Sequence, residues 1–163
     1  MTRYLLDANV FIEAKRRYYG LDFCPGFWGW LAQANSDKRV FSIEKVRDEL
    51  IGSGDDLSEW ASARAQGFFL APDEPTVRSI ALAVQWARDS QQYRPSALNA
   101  FADDPDAYLV AHAHAHGFTV VTHETPSNEV KRVKIPNACA ALKVPFANTF
   151  DLLRREKVRF VLG

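Results

Sequence analysis

The chain alternates between short apolar runs and longer segments in which apolar residues recur every three to four positions. Four runs are predicted strands: residues 3–7 (RYLLD), 39–42 (RVFS), 67–71 (GFFLA) and 118–122 (FTVVT). The segments between them have the spacing of helices that bury one face. Parallel strands need crossover connections, which helices usually supply, so this alternation favours an α/β protein with a parallel, doubly wound sheet.

The best-defined predicted helix lies immediately before the fourth strand. Asp104 is a natural N-cap, Pro105 stands at the first helical position, and Gly117 stands where a helix C′ residue belongs. Late in the chain, residues 129–135 (EVKRVKI) and 144–148 (VPFAN) are weaker strand candidates on either side of a short helix. The other predicted helices cover residues 7–19, 25–35, 43–51, 57–66, 72–88 and 136–142.

Three acidic residues are predicted to meet at the carboxyl edge of this sheet. Asp7 ends the first strand and Glu124 follows the fourth strand by two residues. Asp106 lies in the first turn of the helix that leads into the fourth strand, and that helix must begin at the same edge. In open α/β sheets the ligand crevice lies outside the carboxyl ends of the strands, so the three carboxylates are candidates for a shared site.

Glu49 is a fourth candidate, on the helix after the second strand. It flanks the apolar stripe of that helix, where a long side chain could reach a neighbouring cleft. Carboxylates about 5 Å apart repel each other by roughly 3 kcal/mol at an effective dielectric of about 20, so such a cluster calls for a cation. Oxygen ligands suit Mg²⁺ or Mn²⁺, and the chemistry this predicts is phosphodiester hydrolysis.

Composition and charge bound the remaining possibilities. A chain of 163 residues is predicted to form one domain over 1–163. Because it has 20 basic and 20 acidic residues, its net charge does not attract nucleic acid, and any such binding would need a local basic patch. The candidate patches are Lys15, Arg16 and Arg17, and Lys131 with Arg132. The sequence shows neither a signal-peptide pattern nor an apolar run long enough for a membrane span, which predicts a cytoplasmic protein.

Several motifs together resemble the PIN-domain nucleases. They are LLDANVFI at the start, the EL of VRDELI, the stretch DPDAYLVAHAHAHGFTVVT and the HE that follows it. The resemblance is closest to the VapC-like toxins of prokaryotic toxin–antitoxin pairs. The stretches YYGLDFCPGFWGWL and KIPNACAALKVPFANTFDLLR are similar to a PIN-like family long known only as a domain of unknown function. Nearly the whole chain is covered.

This resemblance implies a three-layer PIN-like fold, with a central, mostly parallel sheet of four to five strands flanked by helices. It implies Mg²⁺ or Mn²⁺ as cofactor, cleavage of single-stranded RNA, a cognate antitoxin as partner, and a homodimer. The family most often has aspartate where this chain has Glu124, in the pattern Thr122-His123-Glu124. The resemblance makes Asp7, Glu49, Asp106 and Glu124 the metal-binding acids and gives Asn9 and Thr122 supporting places beside them. Asp104, the predicted N-cap, is a further supporting candidate.

Three other interpretations of the sequence are open, two based on the same acidic residues and one on a group of histidines. The glutamate at position 124 and the neutral net charge also fit a catalytically weak PIN-like module that acts mainly by binding a partner protein. A receiver-like phosphoacceptor would cluster acids at the same edge, but it needs a lysine directly after a later strand, and FTVVT is followed by His123 and Glu124 instead. His112, His114 and His116 invite a zinc site, although only His112 and His116 share a helix face.

Overall fold

Five parallel strands form one sheet in the order β3-β2-β1-β4-β5 in this computed structural model, which describes residues 1–162. Every neighbouring pair is parallel, with Leu5 of the central strand opposite both Phe41 and Val120. The predicted α/β class with a parallel sheet is therefore confirmed. The strands are β1 (Tyr4–Leu6), β2 (Val40–Ile43), β3 (Phe69–Leu70), β4 (Thr119–Val121) and β5 (Phe146–Ala147).

Helices connect the strands. None of those in residues 1–162 is long and apolar enough to cross a membrane. The first helix continues directly into a π-helical turn, Ala14–Tyr18. The helices are α1 (Ala8–Glu13), α2 (Pro25–Ser36), α3 (Glu44–Ile51), α4 (Asp56–Ser62), α5 (Glu74–Asp89), α6 (Pro95–Asp103), α7 (Pro105–His116), α8 (Ile135–Leu142) and α9 (Thr149–Arg155).

The core contains a cluster of aromatic rings between α1, α2 and α4. Phe11 is fully buried, and its ring centroid lies 5.9 Å from that of Trp60. The Trp60 ring meets the Trp28 ring edge-on at 5.0 Å. Trp28 is itself buried and donates from Nε1 to the Tyr19 carbonyl oxygen at 2.6 Å. Trp28 therefore belongs to the core.

Two expectations about the local structure were wrong. Residues 129–134 form no strand, because their backbone does not pair with the sheet. The carbonyl oxygen of Val130 instead accepts a hydrogen bond from the Arg94 N–H at 2.9 Å. Within the predicted strand 129–135, only Val133 and Ile135 are buried in the core. Their spacing of two residues is the same as that of side chains on one face of a strand. The predicted helix over 57–66 ends at Ser62, after starting at Asp56 with Asp55 as its N-cap.

The sequence pattern did not predict two of the helices, α6 and α9. Pro95 stands in the first turn of α6, where a proline is tolerated because the missing N–H would have no partner in the helix. Asn148 caps α9, since its side-chain oxygen accepts from the Asp151 N–H at 2.8 Å. By contrast, α7 is bounded as predicted, with Asp104 as its N-cap and Gly117 in the left-handed conformation at φ 75°.

The three histidines of α7 contact the start of α5 and its N-cap. His112 Nδ1 lies 3.3 Å from Thr76 Oγ1, and His114 Nδ1 lies 2.7 Å from Ser79 Oγ. His116 Nε2 lies 2.7 Å from the carboxylate of Asp73, the N-cap residue of α5. These side chains are thus engaged in holding two helices together, and no group in residues 1–162 combines three potential ligands as a zinc site requires.

The stability of this interface is expected to fall in acid. Burial lowers the pKa of His112 to about 4, from 6.5, and the neighbouring His116 adds to the effect. The unfolded chain therefore binds a proton that the folded chain excludes, and stability decreases as the pH drops from 6.5 to 4. The expected loss is about 3 kcal/mol at pH 4.

Thermal unfolding between pH 7.5 and pH 4, measured for the parent and for His112→Gln, tests this expectation. The variant should lose less stability than the parent over that range, because glutamine does not titrate. Parallel pH curves for the two proteins would contradict it. Acid groups elsewhere affect both proteins equally, so the difference between the curves isolates His112.

Candidate active site

The carboxyl edge of the sheet brings together residues from the first and last thirds of the chain. Asp7 directly follows β1, and Thr122 and Glu124 follow β4, the parallel neighbour of β1. Asp106 stands in the first turn of α7, whose N-cap, Asp104, accepts from the Asp106 N–H at 2.9 Å. Because β1 and β4 are paired in register, Asp7 and Thr122 leave the sheet side by side.

Asp7 is buried and is held by a side chain from the neighbouring strand. It stands at the N-cap position of α1 but makes no side-chain capping hydrogen bond. Its Oδ2 instead accepts from Thr122 Oγ1 at 2.9 Å, and the same hydroxyl oxygen accepts from the Glu124 N–H at 3.1 Å. Burial, followed by the charge of Asp106, raises the pKa of Asp7 to about 8. At neutral pH this carboxyl therefore holds a proton when no cation is present.

Asp106 and Glu124 share one cation from the chain itself, Arg132. Its Nη2 lies 2.7 Å from Asp106 Oδ2 and 3.1 Å from Glu124 Oε2. The two acidic side chains are only 13% and 8% exposed. Burial raises the pKa of Asp106 to about 6, against the opposing effect of its hydrogen bond from Arg132. Glu124 is also oriented by the Ile135 N–H, which lies 3.4 Å from Oε1.

Glu49 and Asn9 make no hydrogen bond to the acids of this cluster. The pKa of Glu49 is raised by partial desolvation and then by Asp104, while Arg132 opposes the rise, so Glu49 belongs to the Asp104 side of the cleft. Its side chain is exposed and makes no hydrogen bond to the other residues described. Asn9 Oδ1 accepts from the His123 N–H at 3.3 Å and thereby ties the start of α1 to the segment after β4.

The donor chemistry of the cluster fits a hard divalent cation. The carboxylate oxygens of Asp7, Asp106 and Glu124 are ligands of the kind that Mg²⁺ and Mn²⁺ prefer. The pKa of Asp7 is raised mainly by burial, and the negative charges of Asp106 and Glu124 add to the rise. No three acidic, histidine or cysteine side chains of residues 1–162 already surround a common point as ligands. Asp7, Asp106 and Glu124 would hold the ion after a rearrangement of Arg132.

Most of the basic residues expected to bind RNA have partners within the protein. Lys15 Nζ lies 2.7 Å from Asp55 Oδ2, and Arg17 Nε lies 3.3 Å from Glu13 Oε2. Arg132 contacts the acid cluster as described. The other two candidates are exposed and form no ion pair within residues 1–162: Arg16 and Lys131.

The sequence pattern did not indicate Phe150, an aromatic residue that packs beside His123. The ring centroid of Tyr18 lies 6.1 Å from that of His123, and the Phe150 ring meets Tyr18 edge-on at 5.1 Å. Thr149 Oγ1 lies 2.9 Å from His123 Nε2, which fixes that ring. Because Phe150 lies on a helix that the sequence pattern did not reveal, only its place after β5 in a parallel sheet could have indicated it.

Comparisons with other proteins agree with this architecture. The sequence model of a family described as Domain of unknown function (DUF4411) matches residues 4–160. The crystal structure of FitAcB from Neisseria gonorrhoeae is similar, with a TM-score of 0.54 and 18% identity, covering 90% of this chain and 98% of that chain. No curated protein matches the chain in sequence. The structural likeness confirms the PIN-like fold.

Proposed function

Since the chain belongs to the DUF4411 family and has a PIN-like fold, we propose that it is a metal-dependent ribonuclease that hydrolyses phosphodiester bonds in single-stranded RNA. The observation that carries this proposal is the meeting of Asp7, Asp106 and Glu124 in one buried acidic cluster. Burial, together with the negative charges of Asp106 and Glu124, raises the pKa of Asp7 to about 8. Such a cluster is costly to keep unless a cation is to be held there.

The residues of the cluster would have distinct tasks. A bound Mg²⁺ or Mn²⁺ supplies a Lewis acid that activates water and neutralises a leaving oxygen. Asp7, Asp106 and Glu124 would hold the cation, and Thr122 would orient the Asp7 carboxylate through the hydroxyl that already donates to it. Glu49 stands where its carboxylate can orient a water at the rim. Phosphoryl transfer requires chiefly such positioning and charge stabilisation.

The biological role we propose is that of the toxin in a type II toxin–antitoxin pair. Its support is the likeness of the motifs around Asp7, Glu49 and Asp106 to the VapC-like toxins. In this proposal the partners are RNA and a cognate antitoxin protein, the protein is a homodimer, and it acts in the cytoplasm.

One observation favours a second candidate, a catalytically weak module that acts by binding a partner protein. Arg132 already supplies a positive charge to Asp106 and Glu124, so the cluster has one internal cation. Exposed aromatic residues at the start of α2 would have strengthened this candidate, but Phe27 and Trp28 are buried. We therefore favour the nuclease.

The test is cleavage of a mixed single-stranded RNA pool by the purified protein, with Mg²⁺, with Mn²⁺ and with EDTA. Cutting that depends on the metal is expected, and it should stop when EDTA is added. A folded protein, free of any partner, that cuts in none of these conditions would support the binding module instead. The variant described first in the Discussion controls for contaminating nucleases.

A further inference from the structure

A basic groove lies beside the acid cluster, between α9 and the segment that follows it. It has a volume of about 420 Å³ and is lined by Arg154, Lys157 and Arg159, together with the rings of Tyr19, Phe150 and Phe160. The three basic side chains are exposed. They form no ion pair with any acidic side chain of residues 1–162. The groove therefore presents three positive charges without internal partners, in a chain whose net charge is zero.

Phe150 joins this groove to the acid cluster. Its ring lines the groove and also packs against Tyr18 at 5.1 Å and His123 at 5.8 Å between centroids. His123 stands between Thr122 and Glu124 in the chain, and its backbone N–H donates to Asn9. The rings of His123, Tyr18 and Phe150 thus contact one another and form a continuous surface from the segment after β4, which carries Thr122 and Glu124, to the groove. Tyr18 is 44% exposed along this path.

We propose that the groove holds the phosphates of a single-stranded RNA, whose neighbouring nucleotides pass over Tyr18 and Phe150 to the acid cluster. The inference rests on the proposed nuclease function, which it extends by locating the path of the substrate. Three unpaired cations suit consecutive phosphates, and accessible aromatic rings offer faces to unpaired bases. Bases within a duplex are already stacked and cannot use those rings, so a single strand is the occupant.

The groove also supplies the positive charge that a negatively charged RNA strand needs in order to bind near the acids. An RNA strand is repelled by Asp7, Asp106 and Glu124. Of the basic residues that follow these acids in the sequence, Lys15 and Arg17 are engaged in ion pairs, whereas Arg16 and Lys131 are exposed and form none within residues 1–162. Binding energy for the strand must come from cations outside the cluster. The side chains of Arg154, Lys157 and Arg159 supply them at one end of the continuous surface.

A binding measurement without divalent metal tests the groove separately from catalysis. The probe is a fluorescein-labelled single-stranded RNA of about 12 nucleotides, followed by anisotropy in EDTA. The triple variant Arg154→Gln/Lys157→Gln/Arg159→Gln should bind at least about tenfold more weakly than the parent at low salt. Its slope of log K against log salt should be shallower by about 2, as three lost phosphate contacts predict for a single strand.

A matched control removes the same charge elsewhere. Lys38, Arg88 and Lys143 are exposed, and Lys38 and Lys143 have left-handed backbone angles (φ 61° and 58°), as Lys157 does (φ 55°). The variant Lys38→Gln/Arg88→Gln/Lys143→Gln thus matches the groove variant in net charge, and it contains two left-handed positions where the groove variant contains one. It should bind RNA within about twofold of the parent. Equal weakening in the two triple variants would overturn the groove.

A third variant tests the choice of a single strand. Tyr18→Leu keeps an apolar contact for Phe150 but removes the ring, and should weaken single-strand binding by about fivefold or more. Binding to a duplex RNA of equal length should not change. If parent and variant bind single strand and duplex alike, the surface is a general polyanion site and the inference fails.

Cleavage with Mn²⁺, measured on the same proteins, separates the two proposals. If the parent cuts RNA but the groove variant binds and cuts as the control does, the path is wrong and the nuclease stands. If the parent never cuts but the groove variant alone loses RNA binding, the binding site stands and the nuclease fails.

Discussion

Replacing Asp7 by asparagine is expected to reduce RNA cleavage by at least about 10²-fold while stabilising the metal-free protein at pH 8. Activity falls because the amide is a weaker ligand and carries no charge with which to hold a cation. Stability rises because the folded chain no longer buries this ionisable carboxyl. With a pKa raised from 3.8 to about 8, the parent's carboxyl costs on the order of 5 kcal/mol of folding free energy at pH 8.

The pH dependence of this stabilisation follows from the direction of the shift. A carboxyl with a raised folded pKa binds its proton more tightly in the folded chain, so its cost is absent below pH 4 and complete above pH 8. Part of the gain is lost because a buried amide is imperfectly paired. We expect the variant to melt roughly 4–8 °C above the parent at pH 8 in EDTA, with the difference shrinking towards pH 4.

Thermal unfolding in EDTA and cleavage with Mn²⁺ measure the two effects, with Asp48→Asn as the control. Asp48 is exposed on α3, so its replacement should change neither stability nor activity appreciably. Full activity in Asp7→Asn would end the proposed scheme. A variant less stable than the parent at pH 8 would show instead that Asp7 makes a structural contact that asparagine cannot replace.

Replacing Arg132 by alanine is expected to weaken the metal-free fold and to strengthen Mn²⁺ binding. Arg132 gives one nitrogen to Asp106 and Glu124, and removal of one partner of a buried ion pair costs roughly 3–5 kcal/mol. Since the guanidinium is 48% exposed, solvent screening reduces the expected loss to roughly 1–3 kcal/mol. The same change leaves both carboxylates free to hold a divalent ion, and the Kd for Mn²⁺ should fall by about tenfold.

A titration of Mn²⁺ followed by calorimetry, and by the shift in melting temperature, measures both effects. Lys131→Ala is the control, because Lys131 is the exposed neighbour of Arg132 and has no ion pair within residues 1–162. Unchanged or weaker Mn²⁺ binding in Arg132→Ala would mean that the guanidinium does not compete for the cation position. That result, together with absent cleavage in the parent, would favour the binding module.

Local features of the sequence predicted much of the fold correctly. Helix α7 is bounded by Asp104 and Gly117 because capping and left-handed backbone depend on the residue itself and its nearest neighbours. The strands β1, β2 and β4 were evident from apolar runs, since buried parallel strands are apolar on both faces. The segment 129–135 misled because its two buried residues, Val133 and Ile135, imitate strand periodicity in a connection that does not pair.

The order of strands and helices along the chain is enough to predict that Asp7, Asp106 and Glu124 lie at one edge of the sheet. Strand direction and helix start are local properties, and a parallel sheet converts them into a shared edge. Three features follow only from the packing of the folded chain. Arg132 contacts two of these acids, and Lys15 and Arg17 form ion pairs. The side chains of Arg154, Lys157 and Arg159 line a groove. Those contacts join side chains far apart in the chain or on irregular connections, so periodicity carries no information about them. Their geometry, and the burial that shifts the pKa of Asp7, arise when the packed elements bring the connections together.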